Sequence, residues 1–367
     1  MTDPFGRTID YLRLSVTDLC NLRCAYCMPP EGVCKRSHGD VCSLEELEEL
    51  AAACVALGVK KIRLTGGEPL VRKGILTLVE RLNDLRPLGL EELCMTTNGS
   101  LLAEYAASLR AAGLDRLNIS LDTLRPDRFR ALTRGGDLTR VLDGIAAAEA
   151  AGFAHISLNV VLMRGFNEDE IADLALLARE KPCSVRFIEL MPIGPGAAMR
   201  EAYLPAGRVL ELLPELHAQA SVAAHTSAPR NAPVDGMQNA ECRMQNDQAG
   251  SEFRVQSSEA VGAHCVRPLN TRPGVARLYT APGWAGTVGL ITPMSCDFCA
   301  QCSRIRITAD GRLKPCLHAP EEIPLRGLHG EDLTRAVQAA AQRKPARHSL
   351  SDGVQSNSIR PMNEIGG

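Results

Sequence analysis

Three cysteines near the start of the sequence, Cys20, Cys24 and Cys27, form the spacing C-x3-C-x2-C. A structural zinc ion takes four protein ligands, often from paired C-x2-C spacings, so zinc here would need a fourth ligand such as Cys34 or His38. Three thiolates can instead hold a [4Fe–4S] cluster and leave one iron free for another ligand. The spacing favours a cluster with an open iron position, which is typical of a reactive site.

A second group of three cysteines follows near the other end of the chain. Cys299 and Cys302 form a C-x2-C pair, and thirteen residues separate Cys302 from Cys316. A zinc ribbon is the alternative interpretation of this spacing. Arg304 and Arg306 follow the pair on alternate positions of a predicted strand, and therefore on one face of it.

Alternating segments along residues 10–213 must position these groups. Short β-rich runs alternate with amphipathic stretches, which predicts βαβ units and a parallel sheet. The predicted strands span 11–16, 61–65, 93–97, 116–122, 155–163 and 184–190. The predicted helices span 44–57, 75–85, 101–112, 139–151, 168–179 and 206–213. Six units fall short of the eight of a closed TIM barrel, so we expect an α/β fold with an incomplete (βα)6 TIM-like barrel.

Three regions are expected along the chain. Residues 1–215 form the partial barrel, and residues 216–272 are rich in Ala, Ser, Asn, Gln and Pro without periodicity, which predicts a flexible insertion. Residues 273–367 form a C-terminal cluster-binding extension with hairpins over 275–292 and 304–317 and a helix over 331–343.

Polar motifs follow the predicted strands at the points where the strands end. In barrels of this type the active site lies at the carboxyl ends of the strands, so the motifs should share one rim. They are Cys20–Cys27, Gly66-Gly67-Glu68-Pro69, Thr97-Asn98-Gly99, Ser120 with Asp122, and Met191.

Composition excludes several classes of function. The formal net charge of −2 over 367 residues shows no basic signature of nucleic-acid binding, although a small polyanion needs only a local patch. No apolar run reaches the length of a membrane span, and the N-terminus has no signal-peptide pattern. Fourteen cysteines then indicate a reducing compartment. We expect a cytoplasmic protein that binds neither nucleic acid nor membranes.

The first motif resembles the radical S-adenosylmethionine superfamily, because Tyr26 precedes the third cysteine and Gly-Gly-Glu-Pro follows the next strand. The resemblance implies that the free iron chelates the amino and carboxylate groups of S-adenosylmethionine. It also implies that an electron from the cluster cleaves the sulfonium to a 5′-deoxyadenosyl radical. The positions that match the family's cofactor-binding residues are Tyr26, Gly67, Ser120 and Met191.

With the second cysteine group, the pattern is similar to the GTP 3′,8-cyclase family, which performs the first step of molybdenum cofactor biosynthesis. The similarity covers YLRLSVTDLCNLRC, RLTGGEPL, TTNG, RFIELMP, DFCAQCSRIRIT and Gly366-Gly367, but not the predicted insertion. It implies two [4Fe–4S] clusters facing each other across the barrel mouth, with guanine bound to the second. The radical would take hydrogen from C3′ of GTP, and the carbon radical would attack C8 to give 3′,8-cyclo-7,8-dihydroguanosine 5′-triphosphate.

The same resemblance implies contacts and partners. Positions matching GTP-binding residues are Arg13, Arg63, Thr96, Arg304 and Arg306, and guanidinium groups suit bidentate phosphate binding. From the sequence alone, ordinary ion pairs are the alternative for Arg13 and Arg63. The implied partners are an electron donor protein and the downstream cyclic pyranopterin monophosphate synthase, and the family also allows a homodimer.

Two positions depart from the family pattern. The family has a Lys that reaches GTP two residues before Asn159, where this chain has Ser157, so either the phosphate contacts differ or another cation such as Arg164 substitutes. Cys296 is an additional cysteine, and as an iron ligand it would close the second cluster to guanine. We expect Cys296 to be a bystander, because the other three already match the ligand spacing.

Two alternative functions remain open from the sequence. A radical enzyme acting on a peptide would also carry extra C-terminal cysteines, although such enzymes typically have more of them and lack the arginine pair. A zinc-stabilised binding module would be colourless, whereas a cluster protein would be brown.

Overall fold

A computed structural model describes residues 1–33, 37–219, 275–348, 350 and 356–366. Cys34, most of the predicted insertion (220–272) and the side chain of His38 lie outside the described part. No helix among the described residues is long and apolar enough to cross a membrane.

Twelve strands form one mixed sheet in the described part of the chain. They are β1 (Tyr11–Ser15), β2 (Lys61–Thr65), β3 (Glu92–Thr97), β4 (Arg116–Ser120), β5 (Ile156–Leu162), β6 (Ser184–Glu189), β7 (His217–Ala218), β8 (Arg277–Thr280), β9 (Thr287–Ile291), β10 (Arg304–Ile307), β11 (Arg312–Lys314) and β12 (Ile323–Pro324). Their order is β12-β11-β10-β1-β2-β3-β4-β5-β6-β9-β8-β7. β1 to β6 are parallel neighbours, which confirms the six βα units.

Both predicted hairpins exist, but they join the barrel sheet in a way that was not predicted. β9 pairs in parallel with β6, and β10 pairs in parallel with β1, so each hairpin extends one edge of the six-stranded core. The two ends of this sheet are β12 and β7, which are not paired with each other. The barrel is therefore open, as expected.

Nine helices lie in the described part of the chain, and all but the last cover the outer side of the sheet. They are α1 (Leu44–Ala56), α2 (Ile75–Asn83), α3 (Leu102–Ala111), α4 (Pro126–Thr133), α5 (Leu138–Ala150), α6 (Ile171–Glu180), α7 (Arg208–Leu212), α8 (Gly330–Gln342) and α9 (Met362–Ile365). The sequence did not predict α4, which has Pro126 in its first turn and buries Phe129 and Leu132.

The two faces of the sheet differ sharply in polarity. On β1, Leu12 and Leu14 are fully buried and belong to the apolar core, as Ile62 and Leu64 do on β2. Because side chains alternate along a strand, the residues between them point to the other face, which is the barrel interior. These interior residues are mostly polar or charged, including Arg13 in register with Arg63. The core lies between sheet and helices, and the interior is left for a polar ligand.

Candidate active site

The first cysteine group lies on the loop that follows β1, and α4 holds this loop in place. The amide of Arg23 donates to the Thr133 carbonyl at 3.1 Å, and the amide of Ala25 donates to the Leu132 carbonyl at 2.9 Å. Arg134, which follows α4 with a left-handed φ of 55°, donates from Nη1 to the Arg23 carbonyl at 3.0 Å. The unpredicted helix therefore shapes the cysteine loop.

The Gly-Gly-Glu-Pro turn packs against the residues just before Cys20. A Cβ atom at Gly67 would lie 2.3 Å from the Leu19 carbonyl oxygen, so only glycine allows this approach. The next residue, Glu68, is fully buried and accepts hydrogen bonds from the Thr97 hydroxyl at 2.8 Å and the Asn98 amide at 2.6 Å. The predicted motifs after β1, β2 and β3 therefore meet on one rim.

The three thiols of this group are suited to a cationic centre. Burial raises the pKa of Cys20 to about 11 and that of Cys27 to about 12, and it also raises the pKa of Cys24 well above its usual value. Such thiols stay protonated near neutral pH unless a positive centre stabilises the thiolates, and the irons of a cluster provide that charge. The donor set therefore fits a [4Fe–4S] cluster.

The zinc alternative needs a fourth ligand, and the two side chains that the sequence offers for it, Cys34 and His38, lie outside the described part of the chain.

Two of the predicted S-adenosylmethionine residues lie beside the cysteine loop. The Tyr26 hydroxyl donates to Asp122 at 2.8 Å, and Asp122 also accepts from the Val161 amide at 2.8 Å. A Cβ at Gly196 would lie 2.7 Å from the Met191 carbonyl oxygen and 3.3 Å from that of Tyr26, so both residues border the same narrow gap. Asp122 thus gains a role in orienting Tyr26 that the sequence did not assign to it.

The other two predicted cofactor residues lie at the same end of the strands. Ser120 ends β4 and is half-buried, in register with Asn159 of β5. Gly67 touches the cysteine loop as described above. Their contacts with a cofactor stay predictions.

Four of the five predicted GTP-binding residues form a guanidinium cluster inside the barrel. Arg13 is in register with Arg63 on one side and with Arg306 on the other, and Arg304 is in register with Tyr11. The fifth residue, Thr96 on β3, lies on the same face, and its Oγ1 is buried with no hydrogen-bond partner among the described residues.

Tyr11 lies at the centre of this cluster, and the sequence did not single it out. Its hydroxyl accepts a hydrogen bond from Arg63 Nε at 2.6 Å, and the Arg304 guanidinium lies 5.3 Å from its ring centre. Burial alone would raise the pKa of Tyr11, but Arg63, Arg13, Arg304 and Lys61 outweigh burial and lower it to about 7. The low pKa of Tyr11 shows that the electrostatic potential inside the barrel is strongly positive.

Two arginines of the cluster, Arg13 and Arg306, are electrostatically unfavourable as they stand. Burial, followed by Arg304, lowers the pKa of Arg306 to about 10, and burial with Arg306 lowers that of Arg13. Both arginines donate to the Gly366 carbonyl near the C-terminus, at 3.2 Å from Arg13 Nε and 3.0 Å from Arg306 Nη1. A bound polyanion would relieve the mutual repulsion, so the interior favours an anionic ligand.

Arg186 is a further interior cation that the sequence did not single out. It lies on β6 in register with Asn159, and Arg186 Nε and Asn159 Oδ1 are both buried without hydrogen-bond partners in the described chain. Burial, then Arg63, lowers the pKa of Arg186 to about 10. Strand parity could have revealed it, because Arg186 alternates with the buried Val185 and Phe187.

Ser157 and Arg164, the cation suggested in its place, lie in different surroundings. Ser157 is buried in the interior, in register with Asn118 and Ser184. Arg164 is exposed beyond the end of β5 and donates to the Tyr203 carbonyl at 3.3 Å, so it does not face the interior. The position of Arg164 therefore does not favour it as the substitute cation, and the identity of that cation stays a prediction.

The two cysteine groups lie at opposite ends of the strands. Cys302 lies two residues before β10, whereas Cys20 lies five residues after β1, and these strands are parallel and in register over Tyr11–Leu14. At about 3.3 Å per residue the groups are roughly 15–20 Å apart along the strands. The expected arrangement across one mouth is therefore wrong, and the guanidinium cluster fills the space between the groups.

Cys296 is separated from the second group by its surroundings. It follows β9, its amide donates to the Thr292 carbonyl at 3.1 Å, and its sulfur accepts a hydrogen bond from Arg277 Nη2 at 3.0 Å. Cys299 instead lies near residue 7, with its carbonyl 2.8 Å from Arg7 Nη1. These contacts favour the bystander interpretation, which stays a prediction.

Comparisons with known proteins agree on one family. The family model "Radical SAM superfamily" matches residues 14–178, and "Molybdenum Cofactor Synthesis C" matches residues 234–350, a range that includes part of the predicted insertion. The chain is 44% identical to the GTP 3′,8-cyclase of Peptoclostridium acidaminophilum, covering all of this chain and 98% of that protein. It is 44% identical to that of Moorella thermoacetica and 43% to that of Geobacter sulfurreducens, covering 100% and 99% of those proteins.

Proposed function

The chain belongs to the GTP 3′,8-cyclase family of radical S-adenosylmethionine enzymes, and we propose that it binds GTP in the barrel interior between its two cysteine groups. The enzyme converts GTP to 3′,8-cyclo-7,8-dihydroguanosine 5′-triphosphate in the first step of molybdenum cofactor biosynthesis. The observation that carries the residue-level proposal is the buried guanidinium cluster, since it lies between two groups of three thiols.

The cofactors are S-adenosylmethionine and two [4Fe–4S] clusters, which together supply a 5′-deoxyadenosyl radical at the first cluster and an open iron for the purine at the second. Cys20, Cys24 and Cys27 would hold the first cluster, and Cys299, Cys302 and Cys316 the second. Tyr26, Gly67, Ser120 and Met191 would hold the S-adenosylmethionine.

The arginines bind and orient the substrate. Arg13, Arg63, Arg304, Arg306 and Arg186 present several guanidinium forks to one space, which suits a triphosphate with several oxygens. The unpartnered Thr96 Oγ1 and Asn159 Oδ1 are neutral polar atoms that can hydrogen-bond the sugar or base. Because the cysteine groups occupy opposite ends, the substrate directs its ribose toward the first group and its guanine toward the second.

The interior also excludes water and competing substrates. Arg63 and Arg306 are each less than 10% exposed, so charged contacts here are stronger than in water. A peptide substrate would have to leave several buried guanidinium groups without phosphate-like partners, which is costly. The peptide alternative is therefore less consistent with this geometry than a nucleoside triphosphate.

The surroundings of the reaction follow from the same family membership. We propose that the enzyme works in the cytoplasm, receives its electron from a donor protein, and passes its product to cyclic pyranopterin monophosphate synthase. A homodimer is compatible with this proposal.

Arg186→Met tests the substrate site. If Arg186 contacts the triphosphate, its loss removes a charge-assisted hydrogen bond worth about 1.5–3 kcal/mol, or roughly 10- to 150-fold in affinity. We expect the GTP dissociation constant, measured by equilibrium dialysis, to rise by this factor. Arg164→Met is the matched control and should bind GTP as the unchanged protein does.

A second substitution, Ser157→Lys, tests whether a cation at position 157 can replace Arg186. In the Arg186→Met background it should restore most of the lost affinity, because the new ammonium lies one strand away on the same interior face. Equal GTP affinity of the Arg186→Met and Arg164→Met variants would exclude Arg186 from substrate binding.

A further inference from the structure

Lys344 is a buried cation close to the second cysteine group. It lies just after α8 and is only 4% exposed. Its Nζ donates to the Arg304 carbonyl at 2.7 Å and to the Pro315 carbonyl at 2.9 Å. Among the described residues it forms no ion pair with a carboxylate, so its charge is balanced by neutral oxygens alone. A buried ammonium in this state is costly unless a negative group lies nearby.

The Arg304 and Pro315 carbonyls place the Lys344 ammonium next to the second cysteine group. Arg304 comes two residues after Cys302, and Pro315 directly precedes Cys316, so Lys344 joins the two chain segments that carry these thiols.

The neighbouring cation, Arg7, offers a contrast. Arg7 Nη1 donates to the Cys299 carbonyl at 2.8 Å, and Nη2 donates to the Pro345 carbonyl at 2.6 Å, so it holds the adjoining part of the same assembly. Its charge is neutralised by an ion pair with the buried Asp3. Lys344 therefore brings uncompensated positive charge to the cysteine group, and Arg7 does not.

We propose that Lys344 is a positioning residue of the second cluster. Its positive charge stabilises the thiolates and the reduced form of that cluster. This rests on the proposed function, which places a [4Fe–4S] cluster on Cys299, Cys302 and Cys316. One-electron reduction adds one negative charge to the cluster without breaking a bond, and the electron comes from the external reductant. Reduction potentials of such clusters depend on nearby charge and on hydrogen bonds to the sulfurs.

The test is a redox titration of the reconstituted full-length protein with dithionite, followed by electron paramagnetic resonance. Lys344→Met removes the charge but keeps a long side chain, Lys344→Arg keeps the charge, and Lys60→Met is a surface control. We expect Lys344→Met to disfavour reduction of the second cluster at least tenfold, equivalent to about 59 mV for one electron. Lys344→Arg and Lys60→Met should stay within threefold, and the first cluster should be unaffected in all variants.

The outcomes separate the possible roles. An unchanged potential in a fully loaded Lys344→Met variant overturns the proposal. If Lys344→Met fails to hold the second cluster but Lys344→Arg retains it, the result supports a requirement for the positive charge. Loss of the second cluster from both variants overturns the proposal. If the unchanged protein itself carries only one cluster, the proposed function fails, and that result is distinguishable because it appears before any substitution.

Discussion

Cys316→Ala should lose the second cluster and at least about 100-fold of its cyclisation activity, while the first cluster remains. Even residues that only hydrogen-bond to metal ligands typically cost 10- to 100-fold when removed, and a direct ligand costs more. Iron should fall from about eight to about four per chain, because the two cysteine groups lie at opposite ends of the strands and assemble separately. Iron analysis after anaerobic reconstitution, with an assay of S-adenosylmethionine cleavage, measures both parts of the expectation.

Cys296→Ala is the matched control for this experiment. Its sulfur accepts a hydrogen bond from Arg277, and removing it should leave both iron content and cyclisation unchanged. The reverse pattern, in which Cys296→Ala loses iron, would make the second centre a four-thiolate site. Such a site could not bind guanine through an open iron, and the enzyme would then act on another substrate.

Gly67→Ala should disable the first cluster. The added Cβ would lie 2.3 Å from the Leu19 carbonyl oxygen. Because this oxygen is a backbone atom and cannot rotate away as a side chain could, the cysteine loop itself must move. Overpacking of this kind costs about 1–3 kcal/mol of stability. A displacement of about 1 Å at a reacting centre can cost 100-fold in rate. We expect a similar loss of 5′-deoxyadenosine formation, with less iron and a lower melting temperature.

Gly207→Ala provides the comparison for that substitution. Its backbone has an ordinary φ of −55°, and no heavy atom lies within 4 Å of the Cβ it would add. Stability should change by less than about 0.5 kcal/mol and activity should be unchanged. If Gly67→Ala behaves like Gly207→Ala, the close packing of the Gly-Gly-Glu-Pro turn against the cysteine loop does not matter for the cluster.

The sequence predicted the parts of the fold that have local signals. Six strands were predicted because short β-rich runs alternate with amphipathic stretches along the chain. The motifs at their ends lie on one rim because parallel strands end at one edge. The start of α1 also carries a local signal, because Ser43 and Glu46 form a capping box with hydrogen bonds of 3.1 and 2.7 Å.

What the sequence did not predict depends on contacts between distant segments. The pairing of β10 with β1 joins residues almost 300 positions apart, and it places the second cysteine group at the far end of the barrel. α4 was missed because it is rich in arginine and shows few apolar residues before its packing is known. Lys344 could not have been assigned either, because its partners Arg304 and Pro315 are 40 and 29 residues away.

The most direct measurement of the central claim uses the reconstituted protein with reductant, S-adenosylmethionine and GTP that carries deuterium at C3′. Removal of the C3′ hydrogen by the 5′-deoxyadenosyl radical predicts that 5′-deoxyadenosine gains deuterium while a cyclised nucleotide forms in equal amount. Mass spectrometry of both products reports the two halves of the reaction together. Unlabelled 5′-deoxyadenosine without a cyclised nucleotide, or a colourless protein that contains zinc in place of iron, would contradict the account.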